Sequence, residues 1–144
     1  MNNYYFKSEH QLFRKSLRDF LNREIVPHID QWEEEGEIPK SAFKKLGDMG
    51  YYGLGFEESY GGISTDIFYT MILVEELNKC NSAGTAASLL SHSTLALEHL
   101  SKNGSAFLKN NYLKPGISGD LIGCLAISEP QAGSDVSNIQ TKAE

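Results

Sequence analysis

The sequence predicts a mainly α fold: six helices, followed by the first strand or strands of an incomplete β-domain. Three observations carry this. Apolar residues recur at helical spacing from Ser8 almost to Pro115. Glycine, proline and asparagine stand between those segments at helix-stop positions. After residue 118 the pattern changes to a short unbroken apolar run, LIGCLAI, bounded by turn residues. The expected division is an all-α domain over 1–118 and the beginning of a β-domain over 119–144. A strand needs partners, so the closing segment reads as the opening of a domain whose remainder is absent.

The first helix is expected over residues 8 to about 22, with Leu12, Phe13, Leu17, Phe20 and Leu21 on one face and charged residues between them. Ser8 and Gln11 have the spacing of a capping box. The second helix carries Ile25, Ile29 and Trp32; Pro27 bends or restarts it, and Gly36 ends it. Pro39 opens the third and Gly50 caps it. The glycine-rich stretch YYGLGFEESYGG reads as a loop or short extended segment, because its glycines are costly inside a helix. A fourth helix is expected over 66–80 and a fifth over 82–100. The fifth has a single charged residue, Glu98, and a helix apolar nearly all round is buried. Asn103 and Gly104 stop it. A sixth short helix follows and ends at Pro115 and Gly116. Residues 121–127 form the expected strand, and the alternation in NIQTKAE suggests another.

Hydrophobic residues make up 40% of the chain and charged residues 22%, the balance of a globular protein rather than a disordered one. A net charge of −6, with no Lys/Arg cluster, argues against a nucleic-acid partner. No apolar run is long enough to span a bilayer, and no signal peptide is visible. Cys80 and Cys124 lie far apart without ligand spacing and read as reduced thiols of a cytoplasmic protein, Cys124 buried and inert in its strand. His10, His28, His92 and His99 share no metal-ligand spacing, and His92 on a buried helix reads as a hydrogen-bonded core histidine. Trp32, Tyr51 and Tyr52 read as core or interface aromatics, and WEEEGE as a solvated acidic helix end.

The candidate functional motif is AISEPQAGSD, residues 126–135. Ser128 offers a hydroxyl where the apolar run ends. Pro130 forces Glu129 into an extended or turn conformation. Gly133 lets a ligand approach the backbone closely, and the N–H groups of such a turn can hold an anion. These features suit a polar heterocycle and a phosphate; the same residue types also build ordinary strand-to-strand loops. Glu129 and Asp135 are read as loop-shaping groups rather than an acid–base pair.

The order of residues in this motif closely resembles the signature of the acyl-CoA dehydrogenase family: a small residue, an aliphatic, Ser or Thr, Glu-Pro, then Ala-Gly-Ser-Asp. Three further stretches resemble the family in the same order. They are FRKSLRDFLNREIVPHIDQWEEEGEIP, LGDMGYYGLGFEESYGG and VEEL. Phe56-Glu57 stands where the family more often has proline, and Asn138 where a small residue is preferred.

The resemblance implies an FAD-dependent oxidoreductase of lipid metabolism and fatty acid β-oxidation. It would convert an acyl-CoA to the trans-2-enoyl-CoA and pass electrons to electron-transfer flavoprotein. It implies a six-helix N-terminal domain, a middle β-domain and a C-terminal helical domain, with a homo-oligomer when complete. Carried over by position, Leu125, Ala126, Ile127, Ser128, Gly133 and Ser134 contact FAD, Ser128 at the pyrimidine edge. Ser134 also touches the CoA part of the substrate. The fifth helix lines the acyl tunnel through Ala83, Ala86, Ala87, Leu90 and Thr94. Small and apolar residues there suit a medium or longer straight chain, and alanines also simply permit close helix packing. The family's glutamate base lies far downstream and has no counterpart here. The chain alone is therefore expected to lack activity and to hold FAD weakly. An acyl-CoA oxidase or flavin monooxygenase of the same fold, and a non-catalytic helical binding module, are the alternative readings.

Overall fold

The computed structural model describes residues 4–142. Helix α1 (Ser8–Glu24) packs along α4 (Ile67–Leu77), with α2 (Ile29–Glu35) and α3 (Lys40–Asp48) between them in sequence. Helix α5 (Ala83–Leu90) continues through a π stretch, Ser91–Leu97, into α6 (Glu98–Asn103). The last helical segment runs through α7 (Ala106–Leu108), a second π stretch (Lys109–Leu113) and α8 (Lys114–Ile117). Among the described residues five α-helices reach seven residues or more, followed by interrupted helix, rather than six uninterrupted helices. One core joins these elements. Leu17, Leu21 and Ile25 pack with Leu46, Tyr52, Ile72, Leu73, Leu77, Leu89 and Leu113.

The helix ends follow the local chemistry. Pro27 opens a 3-10 turn (Val26–His28) that separates α1 from α2, because proline cannot continue an α-helix but suits a first turn. Gly36 closes α2 at φ 69°, where a side chain would be strained. Ser8 is not the α1 cap. Its hydroxyl turns to Glu9, and the chain uses Lys7 instead, whose N–H donates to His10 Nδ1 at 3.0 Å. His10 is thereby fixed with Nε2 toward the Asp66 carboxylate, at 3.1 and 3.2 Å. Asp66 caps α4 through Phe68 N–H, so one imidazole ties two helix starts together. Leu12, expected in the core, is 69% exposed, and His10 takes the buried position.

Between α1 and α4 lies a buried carboxylate. The Glu76 side chain is 1% exposed, and it accepts from Arg14 at 2.9 Å, Arg18 at 2.8 and 2.9 Å, and Lys79 at 2.8 Å. Arg14 also reaches Glu75. Burial alone would raise the Glu76 pKa, but the hydrogen bonds from Arg18, Lys79 and Arg14 hold it at about 2.

Five expectations are corrected here. Residues 121–127 form no strand; among the described residues the only β contacts are single bridges, Leu54 with Ile63 and Glu129 with Ala132. An apolar run makes a strand only when a partner completes its ladder, and here Leu121, Ile122 and Ile127 remain exposed. Of NIQTKAE, residues 138–142 are irregular beyond the 3-10 turn Val136–Asn138, and Ala143 and Glu144 lie outside the described residues. Pro115 and Gly116 do not end the sixth helix but sit inside α8. After the widened π stretch, proline occupies an opening position of the new turn. The fifth helix is not buried all round: Ala83, Gly84, Ala87, Ser88 and Leu95 are exposed while Thr85, Ala86, Leu89 and His92 are buried. Cys124 is exposed; Cys80 is buried, and burial raises its thiol pKa.

Candidate functional site

The 126–135 turn closes on itself first. Glu129 N–H donates to Ala132 O at 2.8 Å, and Ala132 N–H returns to Glu129 O at 3.1 Å, with Pro130 and Gln131 at the tip. Ala132 is buried and anchors the turn. The Glu129 carboxylate then accepts the backbone N–H groups of Gln140 and Thr141, both at 2.9 Å, and the Thr141 hydroxyl. These bonds, led by Thr141, hold its carboxyl below the usual range. Asp135 accepts Ser137 N–H at 3.2 Å and Asn138 Nδ2 at 2.6 Å. Both acids shape the loop, and Asn138, where the family pattern prefers a small residue, contributes to that shape.

What remains is a set of free donors. Within the described residues the N–H groups of residues 125–128, 133 and 134 have no backbone partner. Ala126, Ile127, Ser128, Gly133 and Ser134 are exposed and Leu125 is half-buried. A Cβ built on Gly133 meets nothing within 4 Å, so the space above it is open. Unpaired N–H and hydroxyl donors along an exposed turn fit the carbonyl-and-nitrogen edge of a flavin, which takes hydrogen bonds most strongly when reduced.

The fifth helix meets this segment through His92. Its Nδ1 accepts Gly123 N–H at 2.9 Å, and its Nε2 lies 3.0 Å from Gly116 O, so the neutral ring carries its proton on Nε2. The ring packs edge-on to Tyr52, with centroids 4.5 Å apart. Gly123 comes so close that a Cβ there would stand 2.9 Å from the Ala96 Cβ. His92 thus clasps α8 and the start of the candidate flavin segment to one helix. The sequence marks it as a core histidine; the residues it joins are 24 and 31 positions away and carry no local signal.

Burial holds the His92 pKa below its ordinary value, against the opposing hydrogen bonds to Gly116 and Gly123. The unfolded chain, with histidine near about 6.5, therefore binds a proton that the folded chain refuses. Stability is full above that value and falls as pH drops from it toward the folded pKa. Urea unfolding at a series of pH values should show His92→Asn losing less stability than wild type between about pH 7.5 and pH 5. Parallel pH dependences in the two proteins would exclude this role.

Of the expected acyl-lining residues, Thr94 lines the cleft beside Tyr52, and Ala83, Ala86, Ala87 and Leu90 do not. Ser93 and Thr94 line a cleft of about 360 Å³ together with Tyr52, Leu54, Phe56 and Thr65. Ala86 is buried, Ala87 is exposed, and Leu90 is half-buried; none of the three lines that cleft. Among the described residues no group of His, Cys, Asp and Glu could hold a metal ion, and no helix is long and apolar enough to cross a membrane.

Residues 7–120 match the family model described as acyl-CoA dehydrogenase, N-terminal domain. The chain is 34% identical over 139 residues to the mitochondrial long-chain specific acyl-CoA dehydrogenase of Sus scrofa, covering 96% of this chain and 32% of the relative. Among solved structures, an acyl-CoA dehydrogenase from Geobacillus kaustophilus aligns with a TM-score of 0.83 at 35% identity, over 94% of this chain and 35% of that one. One from Bacillus anthracis, complexed with FAD, aligns with a TM-score of 0.87 at 25% identity, over 97% of this chain and 24% of that one. The chain spans about a third of the length of the curated relatives it matches. With a family model across most of its residues and the fold of these relatives, the chain belongs to the acyl-CoA dehydrogenase family.

Proposed function

We propose that this chain is the N-terminal part of an FAD-dependent acyl-CoA dehydrogenase. The reaction is oxidation of an acyl-CoA to the trans-2-enoyl-CoA, with a homo-oligomeric enzyme passing electrons to electron-transfer flavoprotein. The observation that carries the reading is the turn of free donors at residues 125–134, held against the helical domain by His92. Bound flavin supplies the acceptor for the hydride that leaves the β-carbon. Ser128 and the neighbouring N–H groups orient the ring edge and stabilise the negative charge that develops there. Ser134 reaches the CoA part of the substrate. Residues 119–144 are the beginning of the β-domain; residues 121–127, with no ladder partner among the described residues, would supply one strand of a larger sheet. The side of the fifth helix carrying Ala87, Leu90 and Thr94 faces the acyl chain, its small residues leaving room for a medium or longer tail. The base that takes the α-proton belongs to a more distant part of the enzyme.

The test uses the polypeptide as it occurs in its native cells. It should be yellow, and a saturated acyl-CoA should bleach the flavin band while an equivalent of enoyl-CoA forms. A colourless protein, or a flavin that acyl-CoA leaves unchanged, would overturn the proposal. The 144-residue chain by itself should hold FAD weakly and show no turnover.

A further inference from the structure

A single hydrogen bond holds the approach to the candidate flavin turn. Leu121 N–H donates to Pro115 O at 3.1 Å, and Glu129 N–H donates to Ala132 O at 2.8 Å. Over residues 122–128, within the described residues, the main chain makes one hydrogen bond, from Gly123 N–H to His92 Nδ1 at 2.9 Å. Side-chain cover is thin as well: Ile122, Cys124, Ala126, Ile127 and Ser128 are exposed. The placement of the segment that leads to Ser128 therefore depends on one acceptor nitrogen.

That nitrogen accepts only while the ring is neutral. Nε2 carries the proton and faces Gly116 O, so a second proton can enter only at Nδ1. There it would set an N–H against the N–H of Gly123, and two donors would stand where a bond had been. Charged groups do little to help that proton in. The rings of Phe43 and Tyr52 meet His92 at near right angles, and burial pushes the Tyr52 hydroxyl far above the ordinary tyrosine range. Helix α8 and residues 119–123 meet the ring with backbone; Lys114 and Asp120 there are exposed, and Asp120 pairs with Lys44. On the same helix Glu98 turns to Lys102. Burial opposes the charge and moves the event below about pH 6.5. The Glu76 network stays charged through that range, because its carboxyl is held at about 2.

We propose that His92 is a positioning residue of the flavin site: its neutral Nδ1 latches residues 122–128 in the posture that presents Ser128 and its neighbours to the ring, and acid unlatches the segment and releases flavin while the helical domain stays folded. The inference rests on the flavin reading of residues 125–134.

Amide exchange in the 144-residue chain reads the latch without flavin. Protection of Gly123 N–H should fall about fivefold to tenfold between about pH 7.5 and pH 5.5. His92→Asn places a side-chain oxygen near the Nδ1 position but takes up no proton, and should keep Gly123 equally protected at both values. In the polypeptide as it occurs in its native cells, FAD release, followed by flavin fluorescence, should be about fivefold or more faster at the lower pH. In His92→Asn it should be nearly equal at the two. Gly123 protection or FAD release that ignores pH, or that follows pH alike in both proteins, would overturn this inference and leave the acyl-CoA reading standing. A native polypeptide without flavin would overturn both. Should His92→Asn fail to fold, the wild-type chain decides: the Gly123 amide shift and the His92 ring nitrogens should titrate with one midpoint, and separate midpoints would exclude the latch.

Discussion

Glu76→Gln is expected to lower stability by about 3 kcal/mol, the scale seen when one member of a buried ion pair is removed. For a chain of this length that is roughly 10 °C in Tm. The amide keeps the shape of the side chain but not its charge, and its NH2 group faces cations. Arg18 and Lys79 are about half exposed and can return to water, whereas Arg14, 15% exposed, is left with Glu75 alone. The pH dependence separates this from a packing defect. The folded pKa of Glu76, about 2, lies below its ordinary 4.5, so the unfolded state binds the extra proton between those values. The charge-dependent part of wild-type stability is complete above pH 4.5 and disappears as pH falls toward 2. The gap between wild type and variant in thermal unfolding should narrow over that window. A gap that stayed constant down to the acid limit would mean that the carboxylate's charge contributes nothing.

Gly47→Ala should be nearly as damaging for a different reason. A Cβ at Gly47 would stand 2.3 Å from both the carbonyl carbon and oxygen of Ser118 and 2.6 Å from Gly119 N, all backbone atoms that no rotamer change can move aside. From the other side, Gly119, at φ 74°, would place its own Cβ 2.6 Å from Phe43 O. Two glycines thus let the chain turn off the helical domain while in direct contact with α3. Lys44 Nζ bridges the corner to Ser118 O at 3.1 Å and Asp120 at 3.0 Å. Overpacking of this kind costs about 2–3 kcal/mol, and the corner rather than the core should loosen most. Hydrogen exchange at residues 118–123 should accelerate more in Gly47→Ala than at Leu17 or Leu77. Gly84→Ala is the control: nothing lies within 4 Å of its Cβ, and alanine inside α5 should be neutral or stabilising. If both alanine variants behave alike, close contact at the corner is not what Gly47 provides.

Much of the fold was legible because the signals are local. Pro27 and Gly36 act within one turn of where they stand, and Trp32 and Leu17 are buried as their spacing predicts. What escaped depends on partners distant in sequence. Ser8 has the right spacing for a cap, but His10 has Asp66 to hold it, 56 positions away, and the chain uses that longer-range bond. The apolar run at 121–127 has strand composition, yet composition cannot supply a neighbour. The loop-shaping reading of Glu129 and Asp135 agrees with the bonds they accept, since acids in turns are satisfied nearby. The near-absence of charge in the fifth helix points to burial all round, yet the small uncharged residues Ala83, Gly84, Ala87 and Ser88 stand exposed on one side of α5, because low charge alone does not give a helix a partner on every face.

The stretch Ser91–Leu97 is π-helical, and Thr94 turns its hydroxyl back to Leu90 O at 2.8 Å within it. Removing one residue there would let the turn tighten to ordinary pitch and rotate every later side chain of the helix by about 100°. His92 could keep Gly123 or Leu97 could keep its contact with Gly116, but the two lie on opposite sides of such a change. The segment is therefore a counted length as much as a composition. A single substitution between 91 and 97 exchanges one side chain, whereas a single residue gained or lost shifts the facing of everything that follows in the helix.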